Sequence, residues 1–143
     1  MRSTFHPGSV LLGLALSLGA GAAAAQVVAV VSSKSTVAAM SRDQVMDIFL
    51  GRTSRFPDGS PAVPVDQAEG SAAREEFYAN FAGKSPAQLK AHWSKIIFTG
   101  RGHPPREVSG SLEMRKLIAE NPGTIGYIER PLLDGRVKEL LTQ

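Results

Sequence analysis

Residues 62–83 read "AVPVDQAEGSAAREEFYANFAG", and this stretch predicts a strand, a tight turn and a helix in close succession. The strand is expected at 62–66, where valine recurs, and Pro64 favours an edge strand or a position at a strand end. The helix is expected at 71–82, because apolar side chains recur on one side and a glycine follows the last turn. Such a unit is typical of an α/β layered domain.

A Gly-Ser pair stands at the start of this helix, where backbone N–H groups have no acceptor within the helix. Gly70 permits a sharp turn, and the Ser71 hydroxyl is suited to cap the helix. Free N–H groups and the helix dipole favour an oxyanion, so the turn is a candidate anion site. The alternative is a helix cap that binds nothing, and the neighbouring Glu69 would repel an anion if it pointed inward.

The other segments continue the alternation of strands and helices. Strands are expected near 27–31 and 124–129, and helices near 41–50, 86–99 and 110–120. Residues 100–108 predict a loop, and residues 136–141, "RVKELL", fit either a final strand or a frayed helix. We therefore expect one α/β domain with a mixed sheet flanked by helices, whose strand order the sequence leaves open.

The N-terminal segment 1–25 predicts a cleaved signal peptide. Arg2 and His6 precede an apolar stretch rich in Leu, Ala and Gly, and the segment ends in small residues at Ala25. A membrane anchor is the alternative, but the run is too short and too rich in Ala and Gly to span a bilayer comfortably. We expect residues 26–143 to form a single mature domain, exported to the periplasm after cleavage behind Ala25.

Composition and motifs argue against several classes of function. Arg2 is the one basic residue of the predicted signal, so the mature chain has 15 of the 16 basic residues and all 13 acidic ones. The basic residues are scattered and form no run suited to nucleic acid. The chain has no cysteine, which excludes thiol catalysis and cysteine-ligated metal. His92 and His103 lack the spacing of metal ligands, and no hydrolase or P-loop motif is present. We therefore expect a protein that is not an enzyme, with no catalytic residue, metal or cofactor.

Two loops rich in arginine and glycine each follow a predicted helix that ends in "IF". They read "LGRTSRF" at 50–56 and "TGRGHPPRE" at 99–107. Their candidate residues for binding an acidic ligand are Arg52, Arg55, Arg101 and Arg106. A simpler interpretation is favoured, in which these arginines bond to the last carbonyls of the preceding helix and interact with its dipole. The binding of an acidic ligand remains open as the alternative.

One ordered string of motifs covers nearly the whole mature chain. Residues 40–78 contain "SRDQV", "IFLGR", a Pro/Gly turn, "VPV" and "EGS" before a helix with an aromatic residue, and "NPGTIGY" follows at 121–127. In this order the sequence resembles the substrate-binding proteins of phosphate ABC transporters, and more closely their short, single-domain exported members. The resemblance implies a type II periplasmic-binding-protein fold, of which this chain would supply a single lobe.

The resemblance also implies a ligand loop. In the full-length family an Arg and an Asp precede Ser-Gly-Thr, and these groups hold phosphate. Here Gln67 replaces the Arg, Glu69 replaces the Asp, and Ala-Ala replaces the Gly-Thr pair, whereas the Gly-Ser start of the helix is kept. The candidate ligand-binding residues are therefore Gln67, Glu69, Gly70, Ser71 and Ala72.

The resemblance implies an exported, non-enzymatic, solute-binding-protein-like domain that binds inorganic phosphate or another small oxyanion weakly. The partner it implies is a membrane transporter or a sensor protein, and the scattered basic residues argue against nucleic acid. The alternative is a periplasmic protein-interaction or accessory module that has lost ligand binding. The residues leave open the anion, the partner and the oligomeric state, including whether a dimer rebuilds a two-lobed cleft.

Cleavage after Ala25 gives a direct test of export. Protein purified from the periplasm should begin at Gln26, because signal peptidase removes the segment before it. Intact-mass spectrometry measures this end, and terminal peptide sequencing controls for trimming by other proteases. Soluble periplasmic protein that still carries Met1 would contradict the prediction.

Overall fold

The structure is a computed structural model, and it describes residues 3–4 and 26–142. The predicted signal peptide, 1–25, lies outside the described residues except for that short N-terminal piece. The strands are β1 (Val27–Ser32), β2 (Val63–Gln67), β3 (Arg106–Val108), β4 (Thr124–Glu129) and β5 (Val137–Glu139). The helices are α1 (Arg42–Phe49), α2 (Ala72–Ala82), α3 (Pro86–Phe98) and α4 (Ser111–Glu120), and a short 3-10 helix covers Arg130–Leu132.

The strands form one mixed five-stranded sheet in the order β3-β2-β4-β1-β5. β1 runs antiparallel to both of its neighbours, β4 and β5, whereas β2 runs parallel to β3 and β4. The α/β class, the mixed sheet and the four flanking helices agree with the sequence-based expectation. None of the helices in the described ranges has the length and apolar character needed to cross a membrane.

Three local expectations are refined or corrected by the pairing. The predicted loop 100–108 ends in a strand, because Arg106–Val108 pairs in parallel with residues 65–67. The strand around Pro64 is interior rather than at the edge, and the proline stands at its start, before the part that pairs with β3 begins at Val65. The segment 136–141 contains a strand rather than a helix, since Val137–Glu139 pairs with β1.

Local capping explains where the helices begin and end. The Ser41 hydroxyl caps α1 by accepting a hydrogen bond from the backbone N–H of Gln44. The Gln44 side-chain oxygen accepts in turn from the Ser41 N–H, which completes a capping box. Ser85 and Gln88 repeat this arrangement at the start of α3. Gly83 ends α2 with φ at 60°, in the left-handed region that favours glycine.

The core lies on both faces of the sheet, and β1 shows why. Successive strand residues point to opposite faces, so alternate side chains of the apolar run 27–31 enter two different clusters. One cluster is aromatic and contains the side chains of α1, α2 and α3, including Phe49, Phe77 and Trp93. The other is aliphatic and packs α4 against the opposite face, with Met114 and Ile118 fully buried.

Gly126 in β4 lets α4 approach the sheet closely. A Cβ at this position would lie 2.4 Å from the Met114 sulfur and 3.1 Å from Cδ1 of Ile118. Both side chains are fully buried, so neither has free space into which it can move.

We therefore predict that Gly126→Ala destabilises the domain by about 1–3 kcal/mol, the usual cost of overpacking a core. Urea unfolding followed by circular dichroism measures the change. Gly135→Ala is the matched control, because a Cβ there meets nothing within 4 Å and the backbone has no positive φ. Equal stabilities of the two variants would show that α4 does not depend on the close approach.

Candidate functional site

The Gly-Ser turn forms as the sequence predicts. Gly70 has φ at 86°, a conformation that L side chains rarely adopt, and Ser71 is extended before the first residue of α2. The Ser71 Oγ accepts a hydrogen bond of 3.2 Å from the backbone N–H of Arg74, which is a side-chain N-cap. The Ser71 N–H itself donates to the Ala68 carbonyl at 3.1 Å, so this group is already satisfied.

Three donors at the turn remain suited to an anion. The N–H groups of Ala72 and Ala73 belong to the first turn of α2, where a helix offers no internal acceptor. The Ser71 hydroxyl accepts from Arg74 and keeps its own hydrogen to donate. Together with the positive end of the helix dipole, these groups favour a single small oxyanion.

Gln67 is directed away from the turn. Its side chain is buried, and Nε2 donates to the Ser111 Oγ and to the Tyr127 carbonyl oxygen, both at 3.0 Å. The structure therefore places Glu69, Gly70, Ser71 and Ala72 at the surface around the turn and Gln67 beneath it. Glu69 is exposed and lines the neighbouring cavity, where its carboxylate adds negative charge.

Arg74 is a charged group at the turn that the sequence argument did not identify. One guanidinium nitrogen donates to the Gln67 carbonyl at 3.0 Å and to Glu107 Oε1 at 2.6 Å. The same nitrogen lies 4.0 Å from Asp66 Oδ2. The signal in the sequence is an arginine three residues after a helix cap, but its carboxylate partner on β3 is too distant along the chain to be foreseen.

Beneath the turn, Asp66 is the centre of a buried polar cluster. Its carboxylate accepts hydrogen bonds from the Tyr127 hydroxyl, from the Tyr78 hydroxyl at 2.6 Å and from the Gln67 N–H at 2.9 Å. Burial raises the pKa of Asp66, and the two tyrosine bonds and the Arg74 charge oppose this rise. Burial also raises the pKa of both tyrosines far above the ordinary value, so their hydroxyls stay protonated donors.

A cavity of about 220 Å³ opens beside the turn, between α2, α3 and the segment that leads into β3. Charges of both signs line it: Glu69, Glu75 and Glu107 against Arg74, Lys84 and Lys90. One wall is apolar and consists of Leu89, Trp93, Ile97 and two prolines. The cavity can therefore accept a ligand that contacts the helix start, but its carboxylates weaken the attraction for an anion.

Several solved structures share this fold. One is a proposed phosphate ABC transporter substrate-binding protein with bound phosphate from Clostridium perfringens, with a TM-score of 0.65 and 20% identity over 82% of this chain and 44% of that chain. Another is an ABC-type phosphate transport receptor from Vibrio cholerae, with a TM-score of 0.64 and 18% identity over 82% and 46%. A third is PstS from Borrelia burgdorferi, with a TM-score of 0.58 and 12% identity over 82% and 47%.

The chain has the fold of a single lobe of these proteins. It spans less than half the length of each of the three, and at such identities the likeness concerns the fold alone. No protein-family model and no curated protein matches the chain. The expected fold of the phosphate-transporter substrate-binding proteins is thus confirmed, whereas the role of each residue at the turn stays a prediction.

We predict that Tyr127→Phe destabilises the domain more than Tyr78→Phe. The Tyr127 hydroxyl donates to Asp66 and accepts from the Gln67 N–H, whereas the Tyr78 hydroxyl contacts Asp66 alone. Loss of hydrogen bonds to a buried charged group costs about 1–3 kcal/mol. Both variants keep the aromatic ring, so a difference between them reflects the hydroxyl bonds and not the packing of the ring. Urea unfolding measures the free energy of unfolding of each variant.

The loss should grow with pH. Each hydroxyl lowers the pKa of Asp66, so its removal raises the native pKa further above the value of 3.8 for an unperturbed Asp. For an acid with a raised native pKa, the free energy of unfolding falls as pH rises from the unfolded pKa through the native one. A pH-independent loss in Tyr127→Phe would show that Asp66 is not the group that the hydroxyl serves.

Proposed function

We propose that this protein is an exported, non-enzymatic binding domain, related to the substrate-binding proteins of phosphate ABC transporters, that binds phosphate or another small oxyanion weakly. The observation that carries the proposal is the start of α2, where the Ser71 hydroxyl and the first-turn N–H groups follow Gly70, a residue that lines the neighbouring cavity together with Arg74. In support, a structural neighbour of the same fold holds phosphate. A transporter or a sensor protein in the periplasm is the partner that this reading implies.

Weak binding follows from the charges around the turn. A helix terminus contributes about 0.3–2 kcal/mol to holding an anion, whereas micromolar affinity requires about 8 kcal/mol. Arg74 is the nearest cation, but Glu107 lies 2.6 Å from its guanidinium and already neutralises it. Glu69 adds a further negative charge at the mouth of the cavity.

A second candidate function is a protein-interaction or accessory module without a ligand. The observation that favours it is the apolar end of α3, where Phe98 is 93% exposed and Ile97 lies beside it and lines the cavity. An interaction face is expected to be apolar, whereas an anion site is expected to be polar. The structure offers both features within one region, so a titration must separate the two functions.

We predict that Ser71→Asp abolishes the binding of phosphate. The substitution fixes a negative charge where the anion would lie, and affinity should fall by at least about tenfold because each 1.4 kcal/mol of repulsion is a factor of ten. The fold should be retained, since Asp is also a good N-cap. Isothermal titration calorimetry of residues 26–143 with phosphate, sulfate and small carboxylates measures binding.

Ser41→Asp is the matched control, because Ser41 caps α1 in the same way but has no neighbour in the chain that lines the cavity, whereas Ser71 follows Gly70, which does. This variant should bind phosphate like the unmodified protein. If both variants lose affinity equally, the effect is one of overall charge and the turn is only a structural cap. If the unmodified protein binds none of the anions at millimolar concentration, the interaction module becomes the better account.

A further inference from the structure

Beyond the anion turn, the structure assembles a groove of about 580 Å³ from chain segments that are far apart in the sequence. One wall is the loop after α1, with Arg52 and Arg55, and the other contains His103 from the segment before β3 and Arg106, the first residue of β3. Three of the four loop arginines that the sequence singled out are thus brought to one place, and Arg101 does not line it.

The groove differs in charge from the cavity beside the turn. Among the described residues, none of the side chains that line it is a carboxylate. In the same part of the chain, no acidic group lies within ion-pair distance of Arg55 or Arg106. Arg52 pairs with Asp47 of the preceding helix at 3.2 Å, and both side chains are largely exposed.

The position of Arg55 is fixed from within the loop. Its guanidinium donates to the Gly59 carbonyl at 2.7 Å, and its backbone forms an isolated bridge with Pro61. The charge on this wall is therefore held in place before a ligand arrives, which lowers the entropic cost of binding.

The floor between the two cationic walls is apolar. Val63, Pro64 and Trp93 line it together with Pro104 and Pro105, and Val63 is half exposed although it belongs to a strand. A free inorganic anion would make no use of this floor. Exposed ion pairs are individually worth about 0.2–1 kcal/mol, so a ligand must engage several cations and the floor at once to bind.

We propose that this groove binds an acidic peptide segment of a partner protein, with carboxylates on the two arginine walls and an apolar side chain on the Val63–Trp93 floor. The argument is charge complementarity joined to an apolar strip, because cations line both walls and, among the described residues, no carboxylate lines the groove. The groove shares Trp93 and Pro104 with the cavity beside the turn, but none of its lining residues belongs to α2, and it requires no anion at Ser71.

Trp93 is the single tryptophan of the chain and lines both the groove and the cavity beside the turn. Its fluorescence therefore reports a ligand at either surface, and the arginine variants below assign the signal to the groove. The probe is a short synthetic peptide in which Glu and Leu alternate, and the control probe carries Gln in place of each Glu. The acidic peptide should change the emission with saturation, more strongly at low than at high salt, and the Gln peptide should not. Equal binding of the two peptides would overturn the charge-based site.

Arg55→Gln and Arg106→Gln should each weaken the acidic peptide by about two- to fivefold, and the double variant by about tenfold, if each removes one exposed ion pair. Arg101→Gln is the matched control, because this arginine belongs to the same loop as His103 but does not line the groove. Arg55→Lys should retain most of the affinity, which separates charge from the fold of the loop. An equal loss in Arg101→Gln would indicate non-specific attraction and overturn the site.

Two further measurements test whether the ligand is a peptide or a small organic acid, and whether the groove acts independently of the turn at Ser71. Citrate and glutarate should bind far more weakly than the peptide. Equal affinity would indicate that the ligand of the groove is a small organic acid, which contradicts the proposed peptide ligand. Ser71→Asp should leave peptide binding unchanged. A protein that fails to bind phosphate but binds the peptide would refute the proposed function alone, and the reverse result would refute the groove alone.

Discussion

The carboxylate of Asp66 is only 2% exposed, and a buried charge is tolerated only where hydrogen bonds replace water. Its bonds come from the hydroxyl of Tyr78 on α2, the hydroxyl of Tyr127 on β4 and the N–H of Gln67 at the end of β2. These donors fix the mutual positions of three elements. The Tyr127 ring also stacks on Phe77 with the ring centres 4.0 Å apart, so packing joins α2 directly to β4, the two elements whose tyrosines both bond to Asp66.

This cluster determines the geometry of the turn above it. Gln67 continues the network to α4 through Ser111, and Arg74 returns from α2 to the Gln67 carbonyl. The chain between the end of β2 and the start of α2 is therefore anchored on both sides. The same anchoring means that an arginine at position 67, the residue type expected from the family resemblance, would enter a buried site occupied by neutral partners rather than reach an anion at the turn.

Local signals in the sequence predicted the helices well. The caps at Ser41, Ser71 and Ser85 and the stop at Gly83 act through neighbours a few residues away. The structure confirms the expected helix ranges to within about one residue at these ends, as different definitions of helix ends allow. The alternation of apolar runs likewise indicated a mixed sheet, but not the order of its strands, because strand order depends on contacts between distant residues.

The features that the sequence did not predict all depend on partners that are distant in sequence. Arg106–Val108 is short and mostly polar, and it becomes a strand only because residues 65–67 lie beside it. The inward orientation of Gln67 depends on Tyr127 and Ser111, and no sequence pattern around position 67 predicts these two contacts. The gathering of Arg52, Arg55 and Arg106 has the same origin, since the sequence shows two separate loops and the fold makes them the walls of one groove.

The distribution of neutralised charge separates the two candidate surfaces. Arg74 at the helix start faces Glu107 at 2.6 Å, so its field is cancelled at short range. In the groove, neither Arg55 nor Arg106 has a carboxylate within ion-pair distance among the described residues. The charge of Arg106 also acts on Glu113, whose pKa is lowered by hydrogen bonds from Ser109 and, to a smaller extent, by this charge. Charges without a close ion-pair partner steer an oppositely charged partner from a distance, whereas a closely paired arginine acts mainly on contact. An acidic partner would therefore be attracted first to the groove. The groove and the cavity are adjacent, because Trp93 and Pro104 line both of them.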